Sequence, residues 1–226
     1  MQVERYVLLA LAPGLFWLWW LRRRDDLDPE PLRLVLLDFA LGIGLALGVL
    51  ALRPSLDAWV LSLPEASRRF ADAFLATAPV EEVAKMLPLF LAWRRRAFDE
   101  PLDGVIYGTA VALGFASLEN FLYLRMSGDP VLILMRGFTA VPIHVACSGA
   151  TGLLFGIAKF RRGPERPLLI LCGLIFAIAL HGLYDWLLAA PDLWQQRLAL
   201  TAVVPAAFVL LALKIRWARG NSPHVR

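Results

Sequence analysis

Apolar residues in this chain gather into seven blocks, at about 6–21, 34–52, 70–93, 102–125, 137–159, 167–189 and 198–217, separated by short polar connections. A helix rises about 1.5 Å per residue, so a block of about twenty residues crosses roughly 30 Å of hydrocarbon. The short alternating segments of a membrane-spanning barrel are absent. The pattern predicts an all-α polytopic integral membrane protein of about seven transmembrane helices. It forms one membrane domain over residues 1–226, with no separate soluble domain. Pro79, Pro88, Pro142 and Pro205 fall inside the blocks and are expected to bend them. Gly42, Gly44 and Gly48 in the second block, and Gly152 and Gly156 in the fifth, have the spacing of close helix packing. Trp17, Trp19, Trp20, Trp93, Trp186, Trp194 and Trp217 stand near block ends, as interfacial aromatics do.

Composition agrees: of 226 residues, 59% are hydrophobic and 19% charged, with mean hydropathy +0.62. The net charge of +4 reflects loop arginines and carries no nucleic-acid signal. Assigning alternate connections to opposite faces puts 15 basic residues on one side and seven on the other, with Lys85 inside a block. That bias places the N-terminus outside and the C-terminus in the cytoplasm. Glu4 and Arg5 precede the first block and an arginine cluster follows it. This is the reverse of a signal peptide, so the block reads as a retained span. Cys147 and Cys172 lie in apolar blocks and read as packed thiols.

Against this background the polar residues at membrane depth stand out, since each costs roughly 2.5 kcal/mol or more to insert. The third block holds Glu81, Glu82 and Lys85, the fourth Glu119 and Asn120, the fifth His144, and the sixth His181 and Asp185. The other blocks lack such residues at depth; Asp38 is near a helix end and His224 is on the tail. Helical rise puts Glu81 and Glu82 about 16–18 Å below the outer boundary, His144 and His181 about 12 Å, Glu119 about 9 Å and Asp185 about 6 Å. Four spans can therefore converge on one cavity in the outer half of the bilayer. Lys85 is three and four residues after the glutamates and can pair with either; His181 and Asp185 are an i,i+4 pair. Glu81 and Glu82 point about 100° apart, so one faces the cavity and the other is scaffold.

Hydrolysis of a peptide bond needs an activated water, a donor for the leaving amine and donors for the oxyanion. A glutamate base with a second carboxylate or histidine meets the first need, and His181 oriented by Asp185 meets the others. Ser117, Ser148 and Cys147 lack a base in a nucleophile's arrangement. Metal ligation by Glu, His and Asp is chemically open, although the HExxH spacing is missing. A buried structural ion pair and interhelical hydrogen-bonding are the structural alternatives for these residues. A proton-coupled transporter could use the same groups, but no paired inverted halves are visible.

EEVAK, FASLEN, the isolated His144 and HGLYD resemble the EExxK, FxxxEN, H and HxxxD elements of the PrsW family of bacterial intramembrane proteases. That family is distantly similar to CAAX prenyl proteases and the Abi group. The resemblance spans about residues 70–190, the expected catalytic core. It implies an intramembrane endopeptidase of the bacterial inner (plasma) membrane in which Glu81, Glu82, Glu119, His144, His181 and Asp185 are catalytic, with Lys85 and Asn120 supporting them. One glutamate activates water, and Glu119 stands where CAAX relatives carry a histidine. His181 and Asp185 supply the oxyanion site, and Lys85 orients the glutamates. The metalloprotease label of the family leaves zinc open, whereas the CAAX comparison favours a mechanism without metal or other cofactor, which is the expectation here. The implied partners are the lipid bilayer and a membrane-anchored protein substrate, of which single-span anti-sigma factors are the family example. A non-catalytic Abi-type protein is the remaining alternative.

Overall fold

The computed structural model of the chain describes residues 2–25 and 28–222, so His224 lies outside the described residues. The helices are α1 (Gln2–Arg22), α2 (Leu32–Ser62), α3 (Glu65–Ala71), α4 (Ala78–Ala92), α5 (Pro101–Ser127), α6 (Pro130–Phe138), α7 (Ala140–Lys159), α8 (Glu165–Leu188), α9 (Leu193–Leu198) and α10 (Val204–Gly220). No strand occurs among the described residues. By length and composition, five helices among the described residues can cross a membrane: Leu32–Ser62, Pro101–Ser127, Pro130–Lys159, Glu165–Leu188 and Leu193–Gly220. The first and third expected spans are helical but do not join that set. α1 begins with Glu4 and Arg5, and the third span is divided and carries Glu81, Glu82 and Lys85.

Three of the four prolines explain where the helices break. A proline has no N–H to give the carbonyl four residues earlier, and its ring crowds that carbonyl. Ahead of Pro79 the chain widens into a π-helical stretch, Asp72–Thr77, between α3 and α4. Ahead of Pro205 it does the same at Ala199–Val203, between α9 and α10. Ahead of Pro142 the helix breaks at Thr139 (φ −124°, ψ −77°), dividing α6 from α7. Such π-turns recur near functional residues because they rotate the helix that follows, and the first one leads directly into Glu81 and Glu82. Pro88 sits inside α4 without a break.

The middle of the bundle is α5, whose residues Leu102 to Ser117 are all buried. Backbone meets backbone on two of its sides. A Cβ on Gly104 would collide with the carbonyl of Gly152 in α7, and one on Gly114 with the carbonyl of Phe39 in α2. Gly42 and Gly156 are equally closed, against Val111 and Pro101. The packing expectation fails at Gly44 and Gly48, which face outward with nothing within 4 Å of a built Cβ. They lie on the far side of α2 from Gly42. Cys147 is buried as expected but Cys172 is exposed, on the outward face of α8. Trp17 is likewise buried, its indole donating to the carbonyl of Gly137 at 2.8 Å.

α2 runs ten residues past its expected end at 52, through Pro54. Arg53 holds this extension: it bonds Asp57 at 2.7 Å one turn on, and reaches Asp72 (2.8 Å) and Thr77 (2.6 Å) in the first π-turn. At the other end of the bundle Asp38 takes both arms of the Arg95 guanidinium, at 2.6 and 2.7 Å, and the Tyr107 hydroxyl donates to Glu30. The first pair ties α2 to the α4–α5 connection and the second ties α5 to the α1–α2 connection, and Asp38 is spent on Arg95.

Candidate active site

The π-turn and Pro79 set the rotation of α4, so that Glu81, Glu82 and Lys85 are all buried between α5, α7 and α8. Glu82 Oε1 is the meeting point of two short bonds, from Lys85 Nζ at 2.9 Å and from His181 Nδ1 at 2.8 Å. Glu81 stands apart: its Oε2 lies 3.3 Å from Lys85 Nζ and 3.9 Å from His181 Nε2. His181 Nε2 also lies 3.3 Å from Asp185 Oδ2, one helical turn along α8.

Lys85 reaches a third partner, His144 Nδ1 on α7, at 2.9 Å, and its ammonium stands over the Phe115 ring at 4.4 Å. An ammonium only donates, so His144 Nδ1 must accept and the imidazole proton sits on Nε2. That nitrogen faces Glu119 Oε2 on α5 at 2.8 Å. The two imidazoles meet edge to face, with ring centroids 4.9 Å apart. A continuous hydrogen-bonded chain therefore runs from Glu119 through His144, Lys85 and Glu82 to His181. It joins four helices, as a single shared site requires; Glu82, Lys85, His144 and His181 in it are all buried, as is Glu81 beside it. Asn120, grouped with Glu119 by the sequence, is not a member of this chain and accepts from Arg136 Nε at 2.8 Å.

A cavity of about 1050 Å³ opens onto one face of this chain. Glu81, Glu119, His144, His181 and Asp185 line it, whereas Glu82 and Lys85 lie behind them. The adjacent glutamates are thus divided as their 100° offset requires, with Glu81 toward the cavity. Farther out the wall combines apolar side chains such as Leu50, Leu122 and Met126 with Arg53, Asp57, Arg68 and Asp72. Ser117 donates to the carbonyl of Leu113 and is spent on its own helix. Arg136 on α6 also lines the cavity and bonds Glu119 Oε2 at 3.4 Å. Sequence reasoning does not single it out, because nothing in the sequence says that a nine-residue helix folds back over the site.

Glu81, His144 and His181 each offer one ligand atom, all within 4.8 Å of one another, which is the donor set of a three-ligand catalytic zinc. The hydrogen bonds argue against such an ion in this arrangement. The lone pair of His144 is given to Lys85, and the same ammonium holds Glu81 Oε2. A divalent cation bound to both would stand against a fixed ammonium. The residues do not fit a metal while Lys85 keeps these contacts.

The family model described as "PrsW family intramembrane metalloprotease" matches residues 30–213. The chain is 34% identical over 212 residues to Protease PrsW of Geobacillus kaustophilus, covering 93% of this chain and 91% of that protein. It is 31% identical to Protease PrsW of Bacillus subtilis, over 82% of this chain and 83% of the relative. For the protein of that name in Clostridioides difficile the identity is 30%, with 87% and 84% covered. No solved structure matches the chain. With a family model spanning most of its length and relatives matched nearly end to end, the chain belongs to the PrsW family of intramembrane proteases.

Proposed function

We propose that the chain hydrolyses a peptide bond of a membrane-anchored protein, with a water activated by Glu81 in the cavity. The single observation that carries this reading is the division of the two glutamates. Glu81 lines the cavity, while Glu82 is tied behind it to Lys85 and His181 at 2.9 and 2.8 Å. A base must be able to meet water, and a scaffold must not move. Glu81 takes the proton of the attacking water. His181 acts as an imidazolium: its Nδ1 proton is held on Glu82, and a second proton on Nε2, beside Asp185, is given to the carbonyl oxygen or to the departing amine, after which the proton Glu81 took from water restores it. Lys85 keeps both carboxylates and His144 in place, and Glu119 fixes the His144 tautomer.

The word metalloprotease in the family description is not carried into this mechanism, because Lys85 holds two of the three donors an ion would need. Apolar side chains around the outer cavity suit a segment arriving from the bilayer, in keeping with a membrane-anchored substrate. Anti-sigma factors are one candidate class. Seven crossings in a bacterial plasma membrane, N-terminus outside and C-terminus in the cytoplasm, put the cavity mouth on the extracytoplasmic side. The mouth residues Arg53, Arg68, Arg69 and Arg136 all belong to the arginine-poor face, which supports this orientation. Purified protein in proteoliposomes should cleave a single-span fluorogenic reporter, and Glu81→Gln should abolish cleavage while the protein still inserts. Full turnover by that variant would reject the reading.

A further inference from the structure

The strongest unassigned feature is the short helix α6 and what it carries to the site. Its N-terminus is capped by Asp129, whose side chain accepts from the Val131 amide at 2.9 Å, and Ile133 and Gly137 are buried. α1 fixes its other end: Trp17 donates to the Gly137 carbonyl at 2.8 Å, and Pro13 leaves so little room that a Cβ on Gly137 would stand 3.1 Å from it. Between these anchors Arg136 is the residue that turns inward. Its Nε donates to Asn120 at 2.8 Å, its Nη2 to Glu119 at 3.4 Å, and its guanidinium lies over the Tyr123 ring at 3.9 Å. Asn120 is fully buried and Arg136 is 12% exposed, so the bracket is preformed.

Glu119 needs such a bracket. Its side chain is 22% exposed and borders the cavity, and the same Oε2 serves both His144 and Arg136. Without Arg136 a long, partly exposed side chain would be held by the imidazole alone and would regain rotamers leading into the cavity. The charge balance points the same way: Lys85 pairs with Glu81 and Glu82 and has no direct bond to Glu119, so Arg136 is the cation that meets that carboxylate. Arg53, Arg68 and Arg69 share the cavity wall but are taken, by Asp57 and Asp72, by the carbonyls of Leu61 and Leu63, and by Gln195 respectively.

We infer that Arg136 is a positioning residue of the proteolytic site, holding Glu119 against His144 Nε2 and so keeping Nδ1 of that imidazole turned to Lys85. The inference rests on the proteolytic reading given above. It acts through Glu119 and His144, so its loss lowers turnover rather than substrate binding.

The test measures kcat and KM on the single-span reporter in proteoliposomes for wild type, Arg136→Ala, Arg136→Lys and Glu81→Gln, with thermal stability in detergent alongside. Arg136→Ala is expected to lose about 10- to 100-fold in kcat at nearly unchanged KM, the equivalent of one charge-assisted bond. Guanidinium ion added to that variant should restore part of the rate, and Arg136→Lys should fall between it and wild type. Wild-type kcat in Arg136→Ala beside an inactive Glu81→Gln overturns the inference and leaves the proteolytic reading standing. So does a loss confined to KM, or one that tracks thermal stability and is not rescued by guanidinium. An active Glu81→Gln overturns the assignment of Glu81 as the base, and with it the site on which the inference rests.

Discussion

Exchanging each of the paired glutamates for glutamine separates their roles, because the two side chains carry different loads. Glu82 receives two short bonds on one oxygen, from Lys85 and from His181. A hydrogen bond to a charged group is worth about 1.5–3 kcal/mol. An amide oxygen at that position still accepts both but loses the charge, so Glu82→Gln should cost about 2–3 kcal/mol of stability. Glu81 contributes one longer contact to Lys85, at 3.3 Å, and lines the cavity. Its glutamine variant should lose about 1 kcal/mol or less. In turnover the order is different. Removing a general base costs about 10²–10⁴-fold, so Glu81→Gln should be nearly inactive and nearly as stable as wild type. Glu82→Gln should be impaired in both respects. The assays are cleavage of a single-span fluorogenic reporter in proteoliposomes and thermal unfolding in detergent. Greater destabilisation by Glu81→Gln than by Glu82→Gln would refute the division of the pair.

Three further outcomes follow from the geometry. Strong chelators should leave wild-type turnover intact, while Lys85→Met, which frees His144 Nδ1 and Glu81, should bind added zinc more tightly than wild type; chelator-sensitive activity restored by zinc would show that an ion displaces Lys85. Gly152→Ala should destabilise by about 1–3 kcal/mol because its Cβ meets the Gly104 backbone, whereas Gly44→Ala, with open space around it, should be neutral or stabilising; equal melting temperatures would contradict the close crossing of α5 and α7. Burial pushes the carboxyl of Glu30, in the α1–α2 connection, up from 4.5 to about 9, and that of Asp25 up from 3.8 to about 6. The folded chain therefore keeps protons that the unfolded chain releases, and stability should fall as pH rises from about 4.5 toward 9. The hydrogen-exchange protection factors of residues 23–25, 28 and 30 should fall over that range, and Glu30→Gln should flatten the dependence; protection that increases with pH would rule this out.

Much of the chain could be read directly because the bilayer permits few solutions. Apolar blocks of about twenty residues had to be helices, since an unpaired backbone has no partner in hydrocarbon. Charges at that depth had to share a site, since isolated they are too costly. Glu81, Glu82, Lys85, Glu119, His144, His181 and Asp185 were all identifiable on those grounds, and the structure does bring them together. What the sequence could not state is which side of a helix meets which neighbour. The rotation of α4 depends on a π-turn before Pro79, and that rotation turns Glu81 to the cavity and Glu82 to Lys85 and His181. The inward fold of α6, which brings Arg136 to Glu119, depends on a break before Pro142 and on a bond from Trp17, 120 residues away. Gly42 and Gly44 look alike in sequence, but only Gly42 faces α5. Residue type and spacing follow from local chemistry and from the solvent. Helix rotation and contact between distant segments are settled only when the whole bundle packs.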